Sequence, residues 1–233
     1  MKRLLTFALL AACGALAHGD VITLNAIADC RILNSEPNTN DNGDLLSTYT
    51  VNGAEQRTVI MFDYSSLVGQ NIVSADLMLY GASYFGATSP TTIDLYRVAS
   101  PWSETQVTWN SRDTGDAWVN AGGDALGTTG QQLTNPFTHW SGNGTINGTW
   151  FNFDATSLVQ GALSGQFTNN GIMLVGAQGG ELSWVSREGN SFNGFPAANV
   201  PELVVTTAAP EPGLCITLGT LVALAIRRRQ TAG

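Results

Sequence analysis

The chain is poor in basic residues and in cysteine. Its only lysine is Lys2. Between residues 19 and 209 it holds five arginines against seventeen acids, a net charge near −12. A surface of that sign repels phosphate backbones, so nucleic acid is excluded as a partner. Of its three cysteines, Cys13 and Cys215 lie near the two ends, which leaves Cys30 alone in between. No internal disulfide can therefore form there, and the fold must rest on its core, with or without a metal. Cys30 lacks a base beside it in sequence, and its expected role is a small buried side chain. No Cys/His spacing suggests zinc. The only histidine of the stretch is His139. With neither lysine nor a second histidine there, the usual bases of a polysaccharide lyase are scarce. No Gly-x-Ser-x-Gly elbow is present. Glu104, Glu188 and Asp154 supply carboxylates for a glycosidase pair, but the expected role of Glu104 and Glu188 is structural and the expectation is a non-enzyme.

Both ends read as targeting segments. Lys2-Arg3 is a positive start, residues 4–16 are apolar, and Ala15-Leu16-Ala17 has the small-x-small pattern of a signal-peptide cleavage site, giving a signal peptide over 1–17. Leu10-Ala11-Ala12-Cys13 offers a second reading, a lipobox with Cys13 acylated. Either reading takes the chain out of the cytoplasm. At the other end Pro210-Glu211-Pro212 blocks continuation of a strand or helix. A fourteen-residue uncharged run over 213–226 follows, then Arg227-Arg228-Arg229. As a helix the run reaches roughly 21 Å, short of a bilayer core of about 30 Å, a gap that snorkelling arginines and local thinning close. The arginines would stay on the cytoplasmic side. This order, over 210–233, resembles a PEP-CTERM sorting tail. The resemblance implies a transient inner-membrane anchor, an exosortase-type processing enzyme as partner, and release to the cell surface or extracellular matrix.

The stretch 19–209 is one domain by size. Its pattern is β almost throughout, in short runs rich in Val, Ile, Thr and aromatics separated by Gly, Asn, Asp and Ser. Runs are expected at 21–27 (extended by 31–33), 45–51, 57–62, 72–80, 91–98, 149–153, 171–176, 182–186 and 202–207. In the fourth, Ala75, Leu77 and Leu79 alternate with Ser74, Asp76, Met78 and Tyr80. Asn52-Gly53 is a strong hairpin signal. Phe62-Asp63 and Phe153-Asp154 each precede a hydroxyl-bearing turn that the Asp can cap, and the second predicts a helix to Leu163 that stops at Gly165. About ten strands with such connections predict an all-β fold, an antiparallel β-sandwich of jelly-roll type. The region 112–147, rich in Gly, Asn and Thr, is long for a connection and draws attention as a functional loop.

Several phrases recur in one family: Ala28-Asp29, the Asn42-Gly43 turn, Arg57 through Phe62-Asp63, the run 74–80, Trp102-Ser103-Glu104, Val107-Thr108-Trp109-Asn110, the run 183–188, and Pro201 with the strand after it. In this order the chain resembles the DNRLRE domain family, related to disaggregatase repeats and to carbohydrate-binding modules. The resemblance implies a β-sandwich that binds polysaccharide, acidic or complex, without chemistry of its own.

Candidate ligand residues follow. Flat aromatic rings bind pyranose faces when exposed. Trp118 and Trp140 in the long region, and Tyr84 and Phe85 between two strands, are the candidates. Arg112 is the candidate partner of a uronate carboxylate, with Arg97 and Arg187 more distant choices. Trp102, Trp109, Trp150 and Trp184 are expected in the core. For metal, the oxygen-rich run 38–44 has Gly43 at the sixth place of a calcium loop, but Tyr49 stands where the twelfth-place Glu is required, so it is no EF-hand. A looser structural calcium site would use Asp29, Asn40, Asp41 and Asp44. A solvated turn is the alternative.

Overall fold

The computed structural model describes residues 19–85, 91–142, 148–178, 180–189 and 199–209; the side chains at 83–85, 177 and 178 are also outside the described set. The expected signal peptide over 1–17 and the residues expected to direct sorting, Pro210, Glu211, Pro212, Arg227, Arg228 and Arg229, lie outside it. Among the described residues, no helix is long and apolar enough to cross a membrane. The folded unit is Val21–Thr207.

Two antiparallel layers enclose a core. In the first, β1 (Val21–Asn25) pairs with β14 (Glu202–Thr207), β14 with β5 (Ile72–Phe85), and β5 with β11 (Trp150–Asp154). In the second the order is β2 (Ala28–Leu33), β4 (Ala54–Met61), β12 (Ile172–Gln178), β6 (Thr91–Val98) and β10 (Thr138–Gly142). Between the layers run β3 (Leu45–Val51) and β13 (Glu181–Val185). Strand β13 pairs with the end of β5 and with the first half of β3, whose second half pairs with β4. The all-β sandwich expected from the pattern is the fold observed.

Alternation decides which residues meet. Ala75, Leu77 and Leu79 of β5 and Leu203 and Val205 of β14 face Ile60, Ile93, Leu95, Ile172 and Leu174 of the second layer, with Trp184 and Phe153 between them. Asn52 and Gly53 take positive φ (51° and 84°), the primed turn their sequence predicts. Asp63 and Asp154 each accept a hydrogen bond from the N–H two residues on, at 2.9 Å. After Asp154 comes α1 (Thr156–Leu163), ended by Gly165 at φ +76°.

The second layer is buried on both faces. Its strands point Cys30, Ile32, Val59, Tyr96, Val98, Met173 and Val175 away from the first layer. These side chains form a second core with Val107, Trp118 and Ala125, flanked by Trp102 and Trp109. That is why β12 reads as a continuous apolar run rather than an alternating one. The cover comes from the region the sequence marks as an unusual loop. It is a laced segment with two small strands paired as a hairpin, β7 (Ser111–Asp113) and β8 (Asp116–Ala117), and with β9 (Ala125–Leu126) docked on β6. Arg57, itself buried, holds it: Nη1 donates to the Gly122 carbonyl at 2.7 Å, Nη2 pairs with Glu55 at 2.7 Å, and the guanidinium lies 4.7 Å from the Trp109 ring centroid. Gly122 adopts φ +85°, and a Cβ there would sit 2.7 Å from both Arg57 Nη1 and the Trp109 ring.

Candidate functional site

Two places hold chemistry that packing alone does not account for. The first is a cluster of charges at the edge of the second layer. Asp29 lies on β2 opposite Ile60, so its side chain takes the inner face. It is fully buried, at 0% exposure. Its Oδ2 accepts the Arg187 backbone N–H at 2.9 Å, while its own N–H donates to Glu104 Oε1 at 2.9 Å. Arg187 Nη2 donates to Glu104 Oε2 at 2.7 Å and lies 3.0 Å from Glu188 Oε1. Asp29, Glu104 and Glu188 thus bring one carboxylate oxygen each within 4.8 Å of one another. Asp29 Oδ1 and Glu188 Oε2 are buried and accept no hydrogen bond from the described residues.

The local chain explains this convergence. Ser186 locks the segment after β13 to the 40–44 loop, its Oγ donating to Gly43 O at 2.7 Å and its N–H to Asp44 O at 3.1 Å. Asn40 holds the Glu104 segment, with Nδ2 donating to the carbonyls of Glu104 and Val107 at 2.9 and 2.8 Å. Burial raises the Asp29 carboxyl to about 8, against the Arg187 N–H that lowers it, and the nearby Glu188 and Glu104 charges add to the rise. Burial pulls Arg187 down, but its bond to Glu104 and the charges of Glu104, Glu188 and Asp29 outweigh that and hold it above its ordinary range. Burial also pushes the Cys30 thiol up to about 12, so it stays protonated and inert.

The four oxygen ligands expected from sequence are not gathered at one point. Asp29 belongs to the cluster above. Asn40 spends its amide on backbone carbonyls, and Asp41 pairs with Arg31 at 2.6 Å. Asp44 enters through its backbone carbonyl. The 38–44 run is a strut: Asn110 Nδ2 donates to Asn38 Oδ1 at 2.9 Å, and the Asn110 N–H reaches Pro37 O at 3.0 Å. With the Asn40 amide, these bonds tie the cover down.

The second place is the outer face of the first layer. Cross-strand register puts Trp150 beside Tyr80, Asn152 beside Met78, and Asp154 beside Asp76, all pointing away from the core. Glu202 and Val204 continue two of these rows. Trp150 is 39% exposed and meets Tyr80 edge-to-face, with centroids 5.2 Å apart.

Aromatic placement differs from the sequence expectation at two tryptophans. Trp118, expected as a loop platform, is 5% exposed, and its Nε1 donates to Thr108 O at 2.9 Å. It fills the second core, so its face is closed to a sugar. Trp150, expected in the core, faces outward because β11 turns Phe151 and Phe153 inward. Trp184 is buried, and Trp102 and Trp109 pack against the second core, as expected. Trp140 is half-buried against Phe151 and Phe153. The side chains of Tyr84 and Phe85 lie outside the described set. Arg112 is occupied by the Pro101 carbonyl at 3.1 Å and Asp116 at 3.2 Å. Arg97 lies over the Phe167 ring, 4.9 Å from its centroid. The missed residues, Glu104, Glu188 and Trp150, carried signals in the sequence: the first two sit in the quoted family phrases, and the third is in phase with Asn152 and Asp154.

No curated protein shows significant similarity to the chain. The family model described as "Disaggregatase related repeat domain" matches residues 29–190. That span starts at Asp29 and ends just past Glu188, so it holds every member of the charge cluster. The chain belongs to the disaggregatase related repeat domain family.

Proposed function

We propose that the protein is a non-catalytic, polysaccharide-binding module that works at the cell surface or in the extracellular matrix. The observation that carries this is the exposed Trp150–Tyr80 pair on the outer face of β5 and β11. An exposed indole offers the flat apolar surface that a pyranose ring needs, and the neighbouring carboxylates and amide accept and donate to its hydroxyls. Asp76, Asn152, Asp154 and Glu202 supply those groups along the same face. The rows of this face carry acids and no arginine. That chemistry suits a neutral polysaccharide better than a polyuronate.

Two further points support a binding rather than a catalytic role. In the charge cluster each oxygen of Glu104 already accepts a hydrogen bond, from the Asp29 N–H and from Arg187. Asp29 is closed to solvent, so it cannot touch a glycosidic oxygen. Export completes the reading: a signal peptide over 1–17 and a tail over 210–233, with Pro-Glu-Pro processed by an exosortase-type enzyme. Deleting 210–233 should abolish surface display; unchanged display would sink the sorting reading.

The binding reading is tested by electrophoresis through gels containing xylan, pectin, alginate or chitosan. Wild type should be retarded by a neutral polymer such as xylan, and Trp150→Ala should run freely. Retardation by chitosan alone would reflect only an acidic protein meeting a polycation. Equal retardation of wild type and Trp150→Ala would remove this face as the site. Free migration in every gel would favour a structural matrix protein.

A further inference from the structure

The charge cluster has more negative charge than its surroundings neutralise. Asp29, Glu104 and Glu188 are faced by one cation, Arg187. If all three carboxylates are ionised, two negative charges remain, one of them on Asp29, which has no exposed surface. Burying uncompensated charge is strongly unfavourable, so either a proton or a bound cation must offset it. The hydrogen-bond inventory gives the same answer independently. Asp29 has no exposed surface, yet among the described residues its Oδ1 has no donor. Glu188 Oε2, also buried, has no donor among them either. Arg187 has already engaged Glu104 Oε2 and Glu188 Oε1, and the Glu104–Asp29 contact uses Glu104 Oε1. The two open oxygens belong to residues whose carboxylates converge within 4.8 Å.

We infer that Asp29, Glu104 and Glu188 bind one hard divalent cation, calcium in kind, which staples β2, the 102–104 segment and the end of β13 together. An all-oxygen set of this type suits calcium, whose loose coordination accepts mixed carboxylate and water ligands at 2.3–2.6 Å, better than magnesium, which demands a near-ideal octahedron. Zinc would call for thiolate or imidazole, and the cluster has neither. A 2+ charge cancels the excess of the three carboxylates over Arg187. The role is structural: the three segments come from distant parts of the chain, and the ion would join them where the layers meet at an edge.

The test uses the full chain, stripped with chelator and titrated with calcium in the absence of any glycan. Binding is read by calorimetry, and melting temperature is followed in parallel. One calcium per chain should bind, and the melting temperature should rise with calcium concentration. Glu188→Gln, at a partly exposed position that leaves the fold intact, should weaken calcium affinity about tenfold or more. Asp29→Asn should weaken it at least as much. Should Asp29→Asn fail to fold, Glu188→Gln alone decides. No saturable binding at one equivalent would overturn the inference, as would calcium affinity unchanged in Glu188→Gln. Because glycan is absent throughout, the outcome is independent of the sugar-binding reading.

Discussion

The two layers of the sandwich treat their outer faces in opposite ways. The second layer hides its outer face under the 102–125 segment, and a second core of Val59, Tyr96, Met173 and Trp118 forms there. The first layer leaves its outer face open, and Trp150 stands on it beside Tyr80. One tryptophan therefore serves cohesion and the other is available for recognition, although the first sits in an irregular segment and the second in a strand. Exposure here follows which face of which layer a residue meets, not whether it lies in a loop.

The comparison can be broken from the covered side. Trp118→Ala should lower stability by about 3–5 kcal/mol, the usual loss for a buried aromatic, measured by denaturant titration. A loss under about 1 kcal/mol would mean that the cover is not part of the cooperative unit. Gly122→Ala should lower it by about 1–3 kcal/mol, since the new methyl overlaps the Trp109 ring and the backbone is left-handed there. A fluorescence-monitored melt would show this as a lower midpoint with Trp109 displaced.

A gentler effect comes from pH. Folding raises the Asp29 carboxyl from its ordinary 3.8 to about 8, so the folded state holds that proton more tightly than the unfolded chain does. In chelator, the stability it contributes is fully present below about pH 4 and is lost as pH rises toward 8. The charges of Glu104, Glu188 and Arg187 face the same carboxyl, the first two raising it and the last lowering it. Melting temperature measured across that window should fall, and the fall should flatten in Asp29→Asn. The smallest stability change is expected at Trp150→Ala, within about 0.5 kcal/mol, because the residue sits on an open face. That variant sharpens the comparison by losing polysaccharide retardation without losing stability.

Much of this architecture was legible in the sequence. The alternation in 72–80 assigned Ala75, Leu77 and Leu79 to the core, and all three are buried. Asn52-Gly53 marked its hairpin, and the paired Phe-Asp phrases marked two Asp-held turns, because these are local effects of a few residues. What was not legible depends on distant chain. Nothing near residues 112–125 says that they will lie over β2, β4, β6 and β12, because the strands they cover are only apolar runs until the sheet assembles. The charge cluster is illegible for the same reason. Asp29 meets Glu104 across 75 positions and Arg187 across 158. Oxygens close in sequence point instead to Asn40, Asp41 and Asp44, whose own bonds serve the loop.

Strand β14 lies between β1 and β5, yet among the described residues it is the last strand to be made. Until Thr207 has been synthesised, β1 has no partner and the first layer has a gap at its middle. The long-range pairing of the two ends of the unit, Val21 opposite Thr206, must then form in one late step. A nascent chain of this design cannot close its first layer until synthesis of the unit is nearly complete.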